Sequence, residues 1–297
     1  MVRALAIAFT VPAMLTGCQP FHADQSPSGS ERPVMLGRGS VSLSDRHEFC
    51  ASMSADRQTV YVGIEHGTWQ SLVAYDRNGH GWAGPRPVLG NSDFTAQDPF
   101  LHRDGKRLYF ITRARGDADI AYVDADASGW GQPVLLPAPV NTRSNEYFVS
   151  LGRDGTIAFA SDRTASGPGD YDIYLTRRTG DRFSTPAALP YPVNTPSYEG
   201  DPFIDPEGRY LIFASNRPGG RGQGDLYLSV AENGGWSEPI AFARQINTAG
   251  HELCPLVTLD GSTFLFTSDQ DVYAISAQII EEMIAAQRQS GSPLVNR

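Results

Sequence analysis

Short runs of apolar, aromatic and β-branched residues recur between polar turns along most of this chain. Tyr210-Leu211-Ile212-Phe213-Ala214 and Leu108-Tyr109-Phe110-Ile111 are typical, each bounded by Gly, Pro, Asp or Asn, which is the pattern of strands rather than helices. The runs belong to a unit of about fifty residues that occurs five times between Arg46 and Ala277. Its turn acids Asp56, Asp104, Asp154, Glu207 and Asp260 are spaced 48, 50, 53 and 53 apart, and Trp82, Trp130, Phe183 and Trp236 keep the same step. Asp-Gly or Glu-Gly pairs at four of these turns supply the positive φ of a tight hairpin. Three or four strands fit in each unit, which makes it one blade of a radial array. The expected fold is all-β, a five-bladed β-propeller spanning residues 33–276.

The fifth unit runs through Asp271-Val272-Tyr273-Ala274-Ile275 and then lacks the aromatic-x-x-Pro strand of the others. Pro33-Val34-Met35-Leu36, followed by Ser40-Val41-Ser42-Leu43, supplies that missing strand from before the first unit, burying two open edges. Residues 277–297 change period. Ile279, Ile280, Met283 and Ile284 form one apolar helical face, with Ser276 as its cap, and pack on the side or base of the ring.

At the other end, Met1-Val2-Arg3 precedes an apolar stretch, Ala4 to Leu15, that is too short to span a bilayer. Leu15-Thr16-Gly17-Cys18 resembles the lipobox of bacterial lipoproteins. That likeness implies a signal peptide over 1–17, lipid on Cys18 and, with Gln19 following, the outer membrane facing the periplasm. Residues 18–32 are rich in Pro, Ser and Gly and read as a flexible tether. The net charge of −9, with Lys106 the only lysine, leaves no basic segment for nucleic acid.

The motif E-x-x-P-x-x-x-x-D-G, an apolar strand ending S-[DN]-R, then G-x-G-D-[IL]-Y, W-x-x-P and N-T is clearest around Asn145 and Glu199. It resembles the WD40-like repeats of TolB-type propellers over Arg46 to Ile275. The resemblance implies an envelope scaffold or protein-docking ring rather than a chemistry. No peptidoglycan-binding domain lies within this sequence, so that part of the family's role is not carried over. Blade one departs from the pattern: it lacks the turn glycine (Asp56-Arg57) and the D-x-[IL]-Y run.

Counting outward from the hairpin turns places Glu146 opposite Arg163 and Glu199 opposite Arg217, as structural ties within blades. The same count sets Glu48 opposite Glu65 and Glu252 opposite Asp269, without the arginine. These four acids are expected to gather at the channel mouth, where blades one and five meet. Crowded carboxylates raise a pKa or recruit a cation.

Blades one and five also share a pattern, His47-Glu48-Phe49-Cys50 and His251-Glu252-Leu253-Cys254. Cys50 and Cys254 fall in the same register on adjacent inner strands. A disulfide, two buried thiols, or zinc held by the cysteines with a carboxylate or with His47 and His251 are all open. No signature is strong enough to assign a metal or a cofactor.

Two functions follow. The first is a lipid-anchored propeller that acts as a protein-binding or envelope-docking scaffold, with an envelope protein or glycan as partner and no catalysis. The second is a glycan-active enzyme using Glu48, Glu252, Asp98 and Asp201, or the repeat acids Glu146 and Glu199, around the channel.

Overall fold

In the computed structural model the described residues are 32–290, apart from 44, 68, 91–94, 128 and 164–166. The lipobox-like segment and nearly all of the tether lie outside them. Among the described residues no helix is long and apolar enough to cross a membrane.

Five antiparallel sheets form five blades. In blade one the strands His47–Met53, Thr59–His66, Trp69–Asn78 and Gly81–Pro87 follow one another outward. Blade two has Gln97–Leu101, Arg107–Thr112 and Asp119–Asp126, edged by two short strands that carry Trp130 and Leu135. Blades three and four repeat it, with inner strands Glu146–Leu151 and Glu199–Ile204. Blade five has Glu252–Val257, Thr263–Ser268 and Asp271–Ser276.

The ring closes through Val34–Met35, which pairs with the outer strand of blade five at Val34↔Ala274 and Met35↔Tyr273. The segment Ser40–Leu43 does not extend that strand. It folds into a tight turn in which the Val41 amide donates to the Gly37 carbonyl (2.8 Å), burying the Val41 side chain.

The core lies between blades rather than at one centre. Tyr109, Ile111 and Ile120 of blade two pack with Val149, Ile157 and Phe159 of blade three. Ala158 and Ile173 of blade three pack with Ile204 and Leu211 of blade four. Each such side chain contributes about 1.5–3 kcal/mol by leaving water. The C-terminal helix Gln278–Ser290 lays Ile279, Ile280, Met283 and Ile284 into the largest of these clusters. Ser276 Oγ caps it by accepting from the Gln278 amide at 3.3 Å.

Each inner strand runs from a loop face, where the blades are joined, to a turn face that carries the Asp-Gly hairpins. On the turn face the register-marking acids link neighbours: Glu207 pairs with Arg153, and Asp260 with Arg57 at 3.6 Å.

Candidate functional site

Each of the five inner strands carries one extra residue relative to its partner strand, and these residues converge on the axis. They are Cys50, Asp98, Phe148, Asp201 and Cys254, all at positive φ between 41° and 55°. An L-residue pays about 1–2 kcal/mol for that backbone. A bulge redirects its side chain, and here all five line one small axial cavity of 30 Å³. Three of the bulges are followed by proline, at Pro99, Pro202 and Pro255. Proline has no amide to give to a ladder, and within a sheet it is confined to such places.

Around the axis the order is Asp201, Cys254, Cys50, Asp98, with Phe148 opposite. Cys50 and Cys254 are joined by a disulfide, S–S 1.96 Å with Cα atoms 5.0 Å apart. Asp98 Oδ1 lies 2.9 Å from Cys50 Sγ. A disulfide sulfur carries no hydrogen, so in that contact only a protonated carboxyl can donate. Burial pushes the Asp98 pKa up to about 7, against a hydrogen bond from the Gln97 amide. Burial likewise pushes Asp201 up to about 8, although its Oδ2 accepts from the Cys254 amide at 3.0 Å. Tyr198 donates its hydroxyl to Asp201 from the loop face (3.2 Å). Neither aspartate makes an ion pair among the described residues.

The repeat glutamates are elsewhere, fully buried where the inner strands begin. Glu146 accepts from the Thr142 amide and hydroxyl (2.9 and 2.7 Å), from Ser161 and from Arg163 (2.8 Å). Glu199 does the same with Thr195, Ser215 and Arg217 (3.2 Å). Each arginine also donates to two backbone carbonyls, Pro139 and Val140 or Pro192 and Val193. It lies over two aromatic rings as well, Phe159 and Tyr174 or Phe213 and Tyr227. Burial raises the pKa of both glutamates, while their threonine, serine and arginine partners pull it down.

The expected pairings need correction. Glu146 and Glu199 face Ser161 and Ser215, two residues short of their arginines, which reach back. The bulge accounts for one residue of that offset. The other is already present beside the turn, where Leu151 faces Ile157 and Ile204 faces Leu211. Glu48 faces Ile64, and Glu65 faces His47, to whose Nδ1 it is bonded at 3.0 Å. Nor is Glu48 without an arginine, since Arg46 lies 2.5 Å away from the other side. Glu252 faces Ser268 rather than Asp269, and is held by Thr248 and Ser268, with no arginine on it among the described residues. The four acids therefore do not form one cluster. Glu48 and Glu252 are sealed in the blades, whereas Asp269 is exposed. His47 and His251 are both exposed and take no part in the axial group, whose metal-capable members are Cys50, Asp98 and Cys254.

Sequence reading missed the asparagines of the N-T pairs. Asn141, Asn194 and Asn247 each accept the amide and donate to the carbonyl of one strand residue, Ile120, Ile173 or Leu226. Their 53-residue step was the available signal.

Below the axial cavity, on the turn face, opens a bowl of 730 Å³. Met53, Phe100, Leu151, Phe203 and Leu256 form its apolar floor, and Arg103, Arg153 and Arg209 stand at its rim.

No family model matches the chain, and no curated protein matches it. Among solved structures, the fold is similar to that of a protein described as a putative TolB from Agrobacterium tumefaciens (TM-score 0.51). The two are 18% identical over 77% of this chain and 72% of that one. It is similar as well to an endo-arabinase from Bacteroides thetaiotaomicron, with TM-score 0.52 and 16% identity over 83% of this chain and 96% of the other. The fold is thus a TolB-like propeller, and an arabinase shares the architecture.

Proposed function

We propose that this protein is a lipid-anchored scaffold of the bacterial envelope that docks a partner protein through the bowl on its turn face. The observation that carries the reading is the contrast between the two cavities. The bowl offers 730 Å³ over an apolar floor with a rim of ion pairs, the apolar centre and polar rim that a protein interface shares with a ligand pocket. The axial cavity offers 30 Å³ beside the only acids that face it, room for about one water molecule. A loop or chain end of the partner is the expected occupant. The lipobox-like segment and tether supply the anchor and reach, and the TolB-like fold agrees with that setting.

The test is site-specific photo-crosslinking in cells, with the reactive residue at Arg103 in the bowl or at Arg182 on the outer edge of blade three. A discrete adduct from Arg103 and none from Arg182 supports the reading. No adduct, or the same products from both positions, overturns it.

The second reading is a glycan-active enzyme. The raised pKa values of Asp98 and Asp201 favour it, because a glycosidase needs one carboxylic acid kept protonated. Against it, a sugar ring is several times larger than the roughly 30 Å³ share of one water. Turnover of any arabinan or peptidoglycan fragment that is lost in Asp98→Asn and Asp201→Asn would replace the scaffold reading.

A further inference from the structure

The axial group holds an unusual combination for a propeller built from hydrophobic interfaces. Four of its five bulge positions carry side chains able to bind a metal, in the sequence carboxyl, sulfur, sulfur, carboxyl around the axis. One atom from each of Cys50, Cys254 and Asp98 lies within 4.8 Å of the others, and all three residues are buried. Burying an ionised carboxylate without a cation is costly, and Asp98 makes no ion pair among the described residues, its contacts being with Gln97 and sulfur. A backbone held in the left-handed region at all four positions fixes where these donors point. That aims the four Cβ atoms at the axis.

We propose that the reduced protein binds one zinc-like divalent ion at the propeller axis through Cys50 Sγ, Cys254 Sγ and an oxygen of Asp98, and that disulfide formation and metal binding exclude each other. The 30 Å³ cavity beside these atoms accepts a single ion. It meets the floor of the bowl at Phe100, Phe203 and Leu256, which border both spaces, so the bowl is the entry path. Two thiolates and one carboxylate suit a borderline-soft ion at about 2.3 Å for sulfur and 2.0–2.2 Å for oxygen. The fourth position is left to water. Asp201 is a positioning residue, holding the Cys254 amide from the far side.

A dithiol reductant gives two electrons and two protons to the Cys50–Cys254 bond and leaves as its own disulfide, producing two thiols. Metal binding then displaces both thiol protons, and that of Asp98 where it is protonated, into solvent. Oxidation in the presence of the ion, by a small-molecule disulfide that takes up the two electrons and leaves as two thiolates, must expel the ion, because a disulfide sulfur is a far poorer ligand than a thiolate.

The experiment uses the full chain with Cys18→Ser, so that only two cysteines remain, purified once under a phosphine reductant and once oxidised. Each form is titrated with Zn²⁺ and with Co²⁺, reading bound metal by elemental analysis, thiolate-to-cobalt absorption, and protons released. The expected result is one ion per reduced chain, with charge-transfer absorption and two to three protons released, and none in the oxidised chain. Cys254→Ser should remove the absorption, and Asp98→Asn should weaken binding at least tenfold, the scale of loss for groups that support a site. Circular dichroism of the reduced chain and of Cys50→Ser/Cys254→Ser accompanies the titration. A reduced chain that unfolds, binds no ion, or binds equally well after Cys254→Ser and Asp98→Asn overturns the proposal.

Discussion

Arg46 Nε lies 2.5 Å from Glu48 Oε1, so the blade that lacks the repeat's arginine recovers the ion pair from the residue two places before its glutamate. Arg46 completes the substitution by donating to the Val41 carbonyl (2.8 Å) and the Tyr75 hydroxyl (2.7 Å), tying the closing segment to blade one. Burial still raises the pKa of Glu48, opposed by that arginine. Removing one partner of a buried pair strands the other, at about 3–5 kcal/mol. Arg46→Ala should therefore lower the melting midpoint strongly, and adding Glu48→Gln should restore much of the loss. Calorimetry of the single and double variants checks this, and additive losses would show that the two residues are not coupled.

Asp98 and Asp201 predict the direction of the pH dependence in the metal-free, disulfide-bonded chain. Their folded pKa values, about 7 and about 8, lie above the ordinary carboxyl value. The folded state therefore holds protons that the unfolded chain has already released. Stability is fullest below pH about 4 as far as these groups are concerned, and it falls as pH rises towards 8. The limit is about 1.4 kcal/mol per pH unit for each group. Urea midpoints at pH 5 and pH 7.5 should differ in this sense, and Asp98→Asn/Asp201→Asn should flatten the difference.

The disulfide spans a sequence separation of 204 residues. On chain-entropy grounds a crosslink closing so long a loop contributes about 5 kcal/mol. Because Val34–Met35 closes the ring independently, Cys50→Ser/Cys254→Ser should still fold, with a lower denaturant midpoint and an unchanged circular-dichroism spectrum. A variant as stable as the parent would show that the crosslink adds nothing to closure.

The N-T asparagines should behave alike despite lying in different blades. Asn194→Ala leaves the buried Ile173 amide without its partner, while the Ile173 carbonyl keeps the Leu189 amide, at about 1–3 kcal/mol. Asn247→Ala does the same to Leu226. Chemical denaturation of the two variants should give losses within about 1 kcal/mol of each other, and a variant of parental stability would show that water replaces the side chain.

The blades, their number and the strand that closes the ring were legible because each depends on local patterns: apolar runs, turn glycines and a constant step. The Glu146–Arg163 and Glu199–Arg217 ties were legible as partners but not as facing residues. A count outward from a hairpin assumes one residue for one, and the bulges at Cys50, Phe148 and their equivalents break that assumption. The prolines at 99, 202 and 255, inside strands that otherwise read as central, were the overlooked sign. Arg46 could not be found by repeat register at all, since it replaces an arginine from a different segment. Cys50 and Cys254 lie on the inner strands of neighbouring blades, a matter of repeat register, but their nearness to Asp98 depends on five backbones turning inward together.

The pairing of Val34–Met35 with residues 273–274 also fixes a sequence of events in time. A polypeptide delivered from its amino end, by a ribosome or a translocation channel, presents the two residues of the clasp before any blade and their acceptor only with the fifth. Blades one to four can stack in succession as they emerge, but the circle has no completed seam until residue 276 is released. For that interval the outer rung of the last sheet is missing and the seam beside blade one lies open, so nascent chains are most exposed to misassembly while blade five is still being made. Moving the clasp to the carboxyl end by circular permutation would remove the wait and leave the finished ring the same.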